Sequence, residues 1–120
     1  ERLLDSINVL LEGHQPQASL LHGDLWAGNK SFTPYGLPVI FDPASYYGDR
    51  ETDIAMTELF GGFGTEFYRA YEAAFPLSPG YRLRLKLYNL YHILNHLNLF
   101  GRAYLGRSEH LISDLLAHTH

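Results

Sequence analysis

The sequence contains no cysteine, which excludes disulfide scaffolds, thiolate metal sites and cysteine nucleophiles. It also lacks a long apolar run, so no segment is predicted to cross a membrane. No basic and apolar leader opens the chain, which argues against a signal peptide. Positive charge is scarce, since nine Lys and Arg face thirteen Asp and Glu for a formal net charge of −4. We therefore predict a cytoplasmic protein that binds neither membranes nor nucleic acids.

The apolar content of the chain is sufficient for one folded domain. Its 120 residues are 46% hydrophobic and 18% charged, which is too apolar for a disordered chain and too low in charge for a coiled coil. This length predicts a single domain over residues 1–120. The chain opens directly on a helical pattern, so we expect it to be part of a longer protein.

Apolar spacing predicts a mostly helical α+β fold with one short hairpin. Val39, Ile40 and Phe41 are typical of a buried strand, and a Pro-Gly turn at 33–36 precedes them. Leucines at 83, 87, 90, 94 and 97 form one stripe, which predicts a central helix buried on more than one side. The predicted elements are helices over 1–11, 51–60, 65–75 with Thr65 as cap, about 80–97 and 108–117, and strands over 30–33 and 37–41.

Polar residues around the predicted hairpin indicate phosphoryl transfer from a metal-bound nucleotide. Asp24 follows His22-Gly23, Asn29 comes five residues later, and Asp42 follows the second strand. An aspartate such as Asp24 can accept the proton of an attacking hydroxyl. The Asn29 amide oxygen and the Asp42 carboxylate are the hard oxygen ligands that Mg²⁺ prefers. The ordered set is far more specific than any one of these residues, each of which alone is as typical of a turn or a cap.

These motifs resemble the catalytic centre of the aminoglycoside-phosphotransferase-like kinases, within the protein-kinase-like superfamily. The wider sequence is similar to the fructosamine kinase (ketosamine kinase) family, and this resemblance covers nearly the whole chain, from about residue 20 to 116. The segments that carry it are 21–26, 42–51, 53–63 and 87–101.

The resemblance assigns a role to each matching position. It implies that Asp24 is the catalytic base and that Asn29 and Asp42 bind the metal. His22 and Asp53 match residues that support the catalytic loop. The implied fold is the C-terminal lobe of a protein-kinase-like fold, and the N-terminal nucleotide lobe is absent. Lys30 and Lys86 do not occupy the position expected of that lobe's phosphate-binding lysine.

The resemblance also implies an activity, with ATP and Mg²⁺ as cofactors. It implies phosphorylation of a sugar hydroxyl on ketosamines, which are fructosamine or ribulosamine adducts of amines or protein lysines, as a step in deglycation repair. Two alternatives stay open: an aminoglycoside- or choline-type small-molecule kinase, and a non-catalytic lobe acting in assembly. We expect the 120 residues alone to be inactive and expect self-association through the face left by the missing lobe.

Other residues carry weaker predictions. Trp26, Tyr46 and Tyr47 are candidate substrate contacts, although a lone Trp beside a core more often only packs. His92 and His96 have the i, i+4 spacing of zinc helices, but no glutamate lies between them as a metalloprotease would require. A buried or pocket-lining polar pair is therefore the favoured interpretation.

Overall fold

The computed structural model describes residues 2–118, apart from the side chain of Phe100; Glu1, in the first predicted helix, lies outside this range. Within this range the chain forms two compact units, one from residues 2–15 and 80–118 (the helical unit) and one from residues 16–79 (the loop unit). The described elements, in chain order, are α1 Arg2–Leu10, β1 Ser19–Leu21, β2 Lys30–Phe32, β3 Pro38–Ile40, β4 Tyr46–Gly48, α2 Glu51–Leu59, α3 Thr65–Ala74, α4 Tyr81–Phe100 and α5 Leu105–Ala117. The mostly helical α+β prediction is confirmed.

The helical unit packs α1, α4 and α5 around a leucine core. Its buried members come from all three helices: Leu3, Leu10, Leu90 and Leu115. Leu83 and Leu87 of the predicted stripe pack against this cluster. The helix that carries the stripe ends at Gly101, whose φ of 84° suits glycine and whose N–H donates to the Leu97 carbonyl at 2.9 Å.

Helix α4 is buried on two sides, as the sequence predicts. Leu90 belongs to the leucine core, whereas the buried Leu85 lies about 140° around the helix from Leu90. The stripe is not buried along its whole length, because the side chain of Leu94 is 39% exposed. None of the described helices is both long and apolar enough to cross a bilayer.

The loop unit contains the predicted hairpin and one ladder that the sequence did not predict. The prediction that the second hairpin strand is buried is wrong, because Val39 and Ile40 are exposed. Strands β2 and β3 are antiparallel, with Lys30 opposite Ile40, and Gly36 closes the turn by donating to the Thr33 carbonyl at 2.9 Å. Strands β1 and β4 form a second antiparallel pair, with Leu21 opposite Tyr46. Three-residue strands are too short to show an alternating pattern, which is why this pair left no signal in the sequence.

The predicted starts of two helices are wrong. Thr65 is the first residue of α3 rather than its cap, because Gly64 occupies the cap position in an extended conformation. Helix α5 begins at Leu105, three residues early, after a 3₁₀ turn over Arg102–Tyr104. Gly106 thus lies inside a helix, where glycine costs about 1 kcal/mol relative to alanine.

Candidate active site

The loop that begins at His22 is held by the carboxylate of Asp53. The His22 backbone N–H donates to Asp53 Oδ2 at 2.7 Å, and the Gly23 N–H donates to Asp53 Oδ1 at 3.0 Å. Asp53 lies in the first turn of α2, so a regular element positions the acceptor. Both carboxylate oxygens are used, which fixes the loop's direction as well as its distance from the helix.

The His22 imidazole joins this loop to the segment that carries Asp42. Its Nε2 lies 2.7 Å from the Phe41 carbonyl, and its Nδ1 lies 3.2 Å from the Asp24 backbone N–H. A carbonyl can only accept, and a backbone N–H can only donate. The ring is therefore the neutral tautomer with its proton on Nε2.

Gly23 is required by the close approach of another backbone segment. Its φ is 87°, and a Cβ built at this position would lie 2.0 Å from the Ala44 carbonyl oxygen. The two segments are also hydrogen-bonded, because the Ala44 N–H donates to the His22 carbonyl at 2.8 Å. Any larger residue at position 23 would push the segment after β3, which contains Ala44, away from the loop.

Asn29 contacts Asp24 directly. The Asn29 amide nitrogen donates to the Asp24 backbone carbonyl at 2.9 Å and to the Asp24 carboxylate Oδ2 at 3.2 Å. Both partners are acceptors, so this end of the buried amide must be nitrogen. The amide oxygen is then the atom of Asn29 that could bind a cation.

Asp42 is brought near this pair through the backbone. The Asn29 carbonyl accepts from the Phe41 N–H at 3.0 Å, which ties the end of the loop to the residue before Asp42. Asp42 is exposed and has a φ of 52°, the left-handed region that aspartate tolerates better than most residues. The Asn29 amide oxygen and the Asp42 carboxylate are both hard oxygen donors, the kind of ligand that Mg²⁺ prefers.

Two aromatic side chains from the segment between α2 and α3 contact Trp26 of the loop and Lys30 of β2. The Trp26 ring meets the Phe60 ring edge-on at 6.3 Å, and the Lys30 ammonium lies 4.6 Å above the Phe63 ring. Trp26 stays 41% exposed, so it packs on one side and presents its other side to solvent. Sequence reasoning missed Phe60 and Phe63, because nothing in their spacing distinguishes them from ordinary turn residues.

Tyr46 and Tyr47 lie next to one another on β4, opposite Leu21 and Leu20, and both are exposed. Strand β1 leads directly into His22, so the ladder places β4 beside the start of the loop. Both tyrosine side chains are accessible to a ligand.

Arg50 is a second residue that sequence reasoning missed. Its guanidinium donates to the Tyr71 hydroxyl at 3.0 Å, the Phe75 carbonyl at 2.9 Å and the Pro76 carbonyl at 2.6 Å. It also stacks 3.6 Å from the centre of the Phe75 ring. Arg50 therefore ties the end of α3 to the start of α2, the helix that carries Asp53. In the sequence Arg50 stands between two acidic residues, and nothing in that spacing indicates these distant partners.

A contact made by Tyr68 connects the end of α2 to the start of α3. The Tyr68 hydroxyl lies 3.0 Å from the buried Thr57 hydroxyl. Burial raises the pKa of Tyr68, so the phenol stays protonated and available for this hydrogen bond.

The side chains that sequence reasoning set aside make structural contacts. The Lys86 ammonium donates to the Asp114 carboxylate at 2.7 Å, and this contact lowers the pKa of Asp114. The His96 Nδ1 donates to the His92 carbonyl at 2.8 Å, a contact within the helix that occupies this ring nitrogen.

The chain is mostly helical, and its loop His22-Gly23-Asp24 is tied to a short hairpin. This arrangement is that of a lobe of a kinase-like phosphotransferase fold. The chain belongs to the fructosamine kinase family, whose model matches residues 1–118. It is 56% identical over 115 residues to a Vibrio parahaemolyticus protein named a probable ketoamine kinase, covering 96% of this chain and 40% of the relative.

Two further comparisons agree. A rice (Oryza sativa subsp. japonica) protein named protein-ribulosamine 3-kinase, chloroplastic, is 47% identical over 116 residues, covering 97% of this chain and 34% of the relative. The crystal structure of a Thermobifida fusca protein described as a putative fructosamine-3-kinase superposes with a TM-score of 0.88 at 35% identity, covering 97% of this chain and 40% of that one. Almost the whole chain is matched in these comparisons, but it spans only about 40% of the length of the relatives.

Proposed function

We propose that residues 1–120 form the C-terminal catalytic lobe of an ATP-dependent ketosamine kinase. The observation that carries the proposal is the hydrogen-bonded unit of His22, Asp24, Asn29 and Asp53. It places a carboxylate beside an amide in a loop whose backbone is fixed on two sides. Family membership supports the substrate class.

In the proposed reaction a sugar hydroxyl of the ketosamine attacks the γ-phosphorus of ATP. A new oxygen–phosphorus bond forms, the bond to the β–γ bridging oxygen breaks, and ADP leaves with that electron pair. Asp24 accepts the hydroxyl proton. Its backbone is fixed by the His22 imidazole and by the Asn29 amide, so the carboxylate needs little reorganisation before the transfer.

The Asn29 amide oxygen and the Asp42 carboxylate would hold Mg²⁺. When bound, the ion would neutralise charge on the nucleotide phosphates. Trp26, Tyr46 and Tyr47 are the proposed substrate contacts, since each presents an exposed aromatic side chain in the loop unit. The ring faces and hydroxyls of such residues suit the C–H and O–H groups of a sugar. The cytoplasmic location stays a prediction.

The test uses a chimera in which the 120 residues replace the matching part of the Vibrio parahaemolyticus relative. With ATP, Mg²⁺ and a ribulosamine or fructosamine, the chimera should phosphorylate the sugar, whereas the 120 residues alone should not. The Asp24→Asn variant removes the proton acceptor and should lower kcat by about 10³-fold.

The control for this variant is Asp5→Asn, which removes an exposed carboxylate from α1. It should leave kcat within twofold. Thermal unfolding of both variants should match that of the unmodified chimera. An Asp24→Asn chimera that keeps its turnover, or a preference for aminoglycosides over ketosamines in a substrate panel, would refute the proposal.

A further inference from the structure

Helix α3 lies at the surface of the loop unit, and none of its ten residues has a fully buried side chain. Most helices in proteins are stabilised by packing an apolar face into a core. Individual contacts must therefore hold α3 in place. Three groups at its end accept hydrogen bonds from one side chain, that of Arg50: the Tyr71 hydroxyl and the carbonyls of Phe75 and Pro76.

These contacts fix the direction of the Arg50 guanidinium as well as its position. Its Nη1 donates to the Tyr71 hydroxyl and the Phe75 carbonyl, and its Nη2 donates to the Pro76 carbonyl. The group also stacks on the Phe75 ring. A planar fork with three acceptors around it has little freedom to turn. The guanidinium is therefore directed toward the end of α3, and any effect on the reaction passes through the protein.

The backbone of Arg50 belongs to the start of α2. Arg50 directly precedes this helix, and its carbonyl accepts a backbone N–H of the first turn at 3.5 Å. Asp53 lies in the same turn, about 4.5 Å farther along the helix axis. A shift in the start of α2 is therefore passed to the Asp53 carboxylate. This carboxylate accepts from the amides of His22 and Gly23, at the start of the loop that carries Asp24.

The other end of α3 is connected to the end of the same loop. Lys30 directly follows the loop, and its ammonium lies 4.6 Å above the Phe63 ring. The Phe63 ring lies 4.8 Å from the Phe67 ring of α3, which lies 6.4 Å from the Tyr71 ring. A row of rings thus runs along α3 between two cations, Lys30 and Arg50. Helix α3 thereby connects β2 to the start of α2.

We propose that Arg50 is a positioning residue for the proposed reaction. By holding the end of α3 against the start of α2, it keeps the Asp53 carboxylate facing the two loop amides. The loop then keeps Asp24 oriented to accept the proton. Lysine cannot replace Arg50, because an ammonium presents its donors from one atom and cannot span the three acceptors. The kinetic consequence rests on the proposed function, whereas the effect on the loop does not.

Hydrogen exchange measured by NMR tests the effect on the loop without any kinase activity. In the 120-residue chain, Arg50→Lys should speed exchange of the His22 and Gly23 amides by about tenfold, because their acceptor is no longer held in place. The matched control is Arg69→Lys, the same change at an exposed position on α3. It should leave these rates within about twofold.

Two further measurements guard against a general loss of structure. The amides of α4, in the helical unit, should exchange at unchanged rates in each variant, which checks that the chain is folded. A milder variant, Tyr71→Phe, removes the hydroxyl that accepts from Arg50 and keeps the ring. It should speed exchange of the same loop amides by about threefold. It supplies the readout if Arg50→Lys unfolds the loop unit.

Steady-state kinetics of the chimera tests the effect on the reaction. Arg50→Lys should lower kcat by about tenfold and leave KM for ATP and for the ketosamine within about twofold, because the proton acceptor is displaced while the substrate contacts stay. In a chimera that already carries Asp53→Asn, the same substitution should lower kcat by less than about threefold. Both changes then act through one anchor of the loop, so their effects do not multiply.

Two results would overturn the proposal. One is a folded Arg50→Lys chain whose loop amides exchange at the unmodified rate, which would mean that Arg50 does not position the loop. The other is a loss of kcat that is as large with Asp53→Asn present as without it, which would mean that the two residues act independently. An unmodified chimera without kinase activity would refute the proposed function instead, and the exchange rates would still decide the role of Arg50.

Discussion

The helical unit and the loop unit are each stabilised from within, by different kinds of interaction. In the helical unit, leucines from three helices form one buried cluster, and the side chains are largely interchangeable apolar groups. In the loop unit the decisive contacts are hydrogen bonds between single side chains and backbone groups, with Asp53 as an acceptor and Arg50 as a donor. The first unit depends on the amount of apolar surface buried, and the second depends on particular atoms in particular places.

This difference predicts that the two units respond to different substitutions. The largest expected effect on stability comes from Leu115→Ala, because Leu115 is fully buried in the leucine cluster. The lost methyl groups and the cavity they leave should lower the free energy of unfolding by about 2–5 kcal/mol. Chemical denaturation measures this change in the free energy of unfolding. Leu99→Ala, at an exposed position, should change it by less than about 0.5 kcal/mol. Equal effects would contradict the assignment of the core.

A smaller loss of stability, with a larger loss of activity, is expected for Asp53→Asn. The amide keeps the shape of the side chain but turns its NH₂ group toward one of the two backbone N–H groups, leaving that donor without a partner. The free energy of unfolding should fall by about 1–3 kcal/mol.

In the chimera, kcat should fall by about 10–100-fold, because the loop that carries Asp24 loses one anchor. Glu66→Gln, an exposed change in the first turn of α3, is the control and should leave both quantities nearly unchanged. If Asp53→Asn lowered stability while kcat stayed constant, Asp53 would support the fold without positioning the loop.

The smallest effect is expected from Asp114→Asn. The contact with Lys86 lowers the pKa of Asp114 below its ordinary value of 3.8. The ion pair thus stabilises the folded chain above that value, and this contribution is lost as the pH falls through the lowered pKa. Both side chains are more than a third exposed, so solvent screens most of the gain.

Unfolding midpoints measured between pH 2 and pH 6 check the direction of this pH dependence of stability. The unmodified chain should lose slightly more stability than Asp114→Asn as the pH falls. An equal loss in the two proteins would mean that the ion pair does not stabilise the folded state.

The same contrast explains which features the sequence could predict. The helices of the helical unit follow from periodic leucines, and even the two-sided burial of α4 was visible in that pattern. The hairpin was predictable because Pro34 and Gly36 define a turn between two short runs. The β1–β4 ladder was not, since pairing between residues such as Leu21 and Tyr46 depends on the path of the intervening chain.

For the candidate site, the residue types pointed to the chemistry, but the contacts that support it were partly hidden. Asp24, Asn29 and Asp42 stand out because carboxylates and amides at strand and loop ends suit a metal nucleotide. Arg50 and Phe60 carry no such signal, because a guanidinium or a ring becomes informative only when its partner is known. The end of the leucine stripe was also misjudged, since periodicity does not show that Leu94 would face an open groove.

The contacts of Asp53 and His22 have a consequence for inhibitor design. Three consecutive amides, those of His22, Gly23 and Asp24, already donate to side chains of this chain. A glycine-containing turn of this kind would otherwise invite a phosphonate or sulfonate group, because exposed amides make good anion receptors. Here such a compound would find these donors engaged. A ligand with a hydroxyl or an ammonium group aimed at the Asp24 carboxylate is the better starting point for medicinal chemistry.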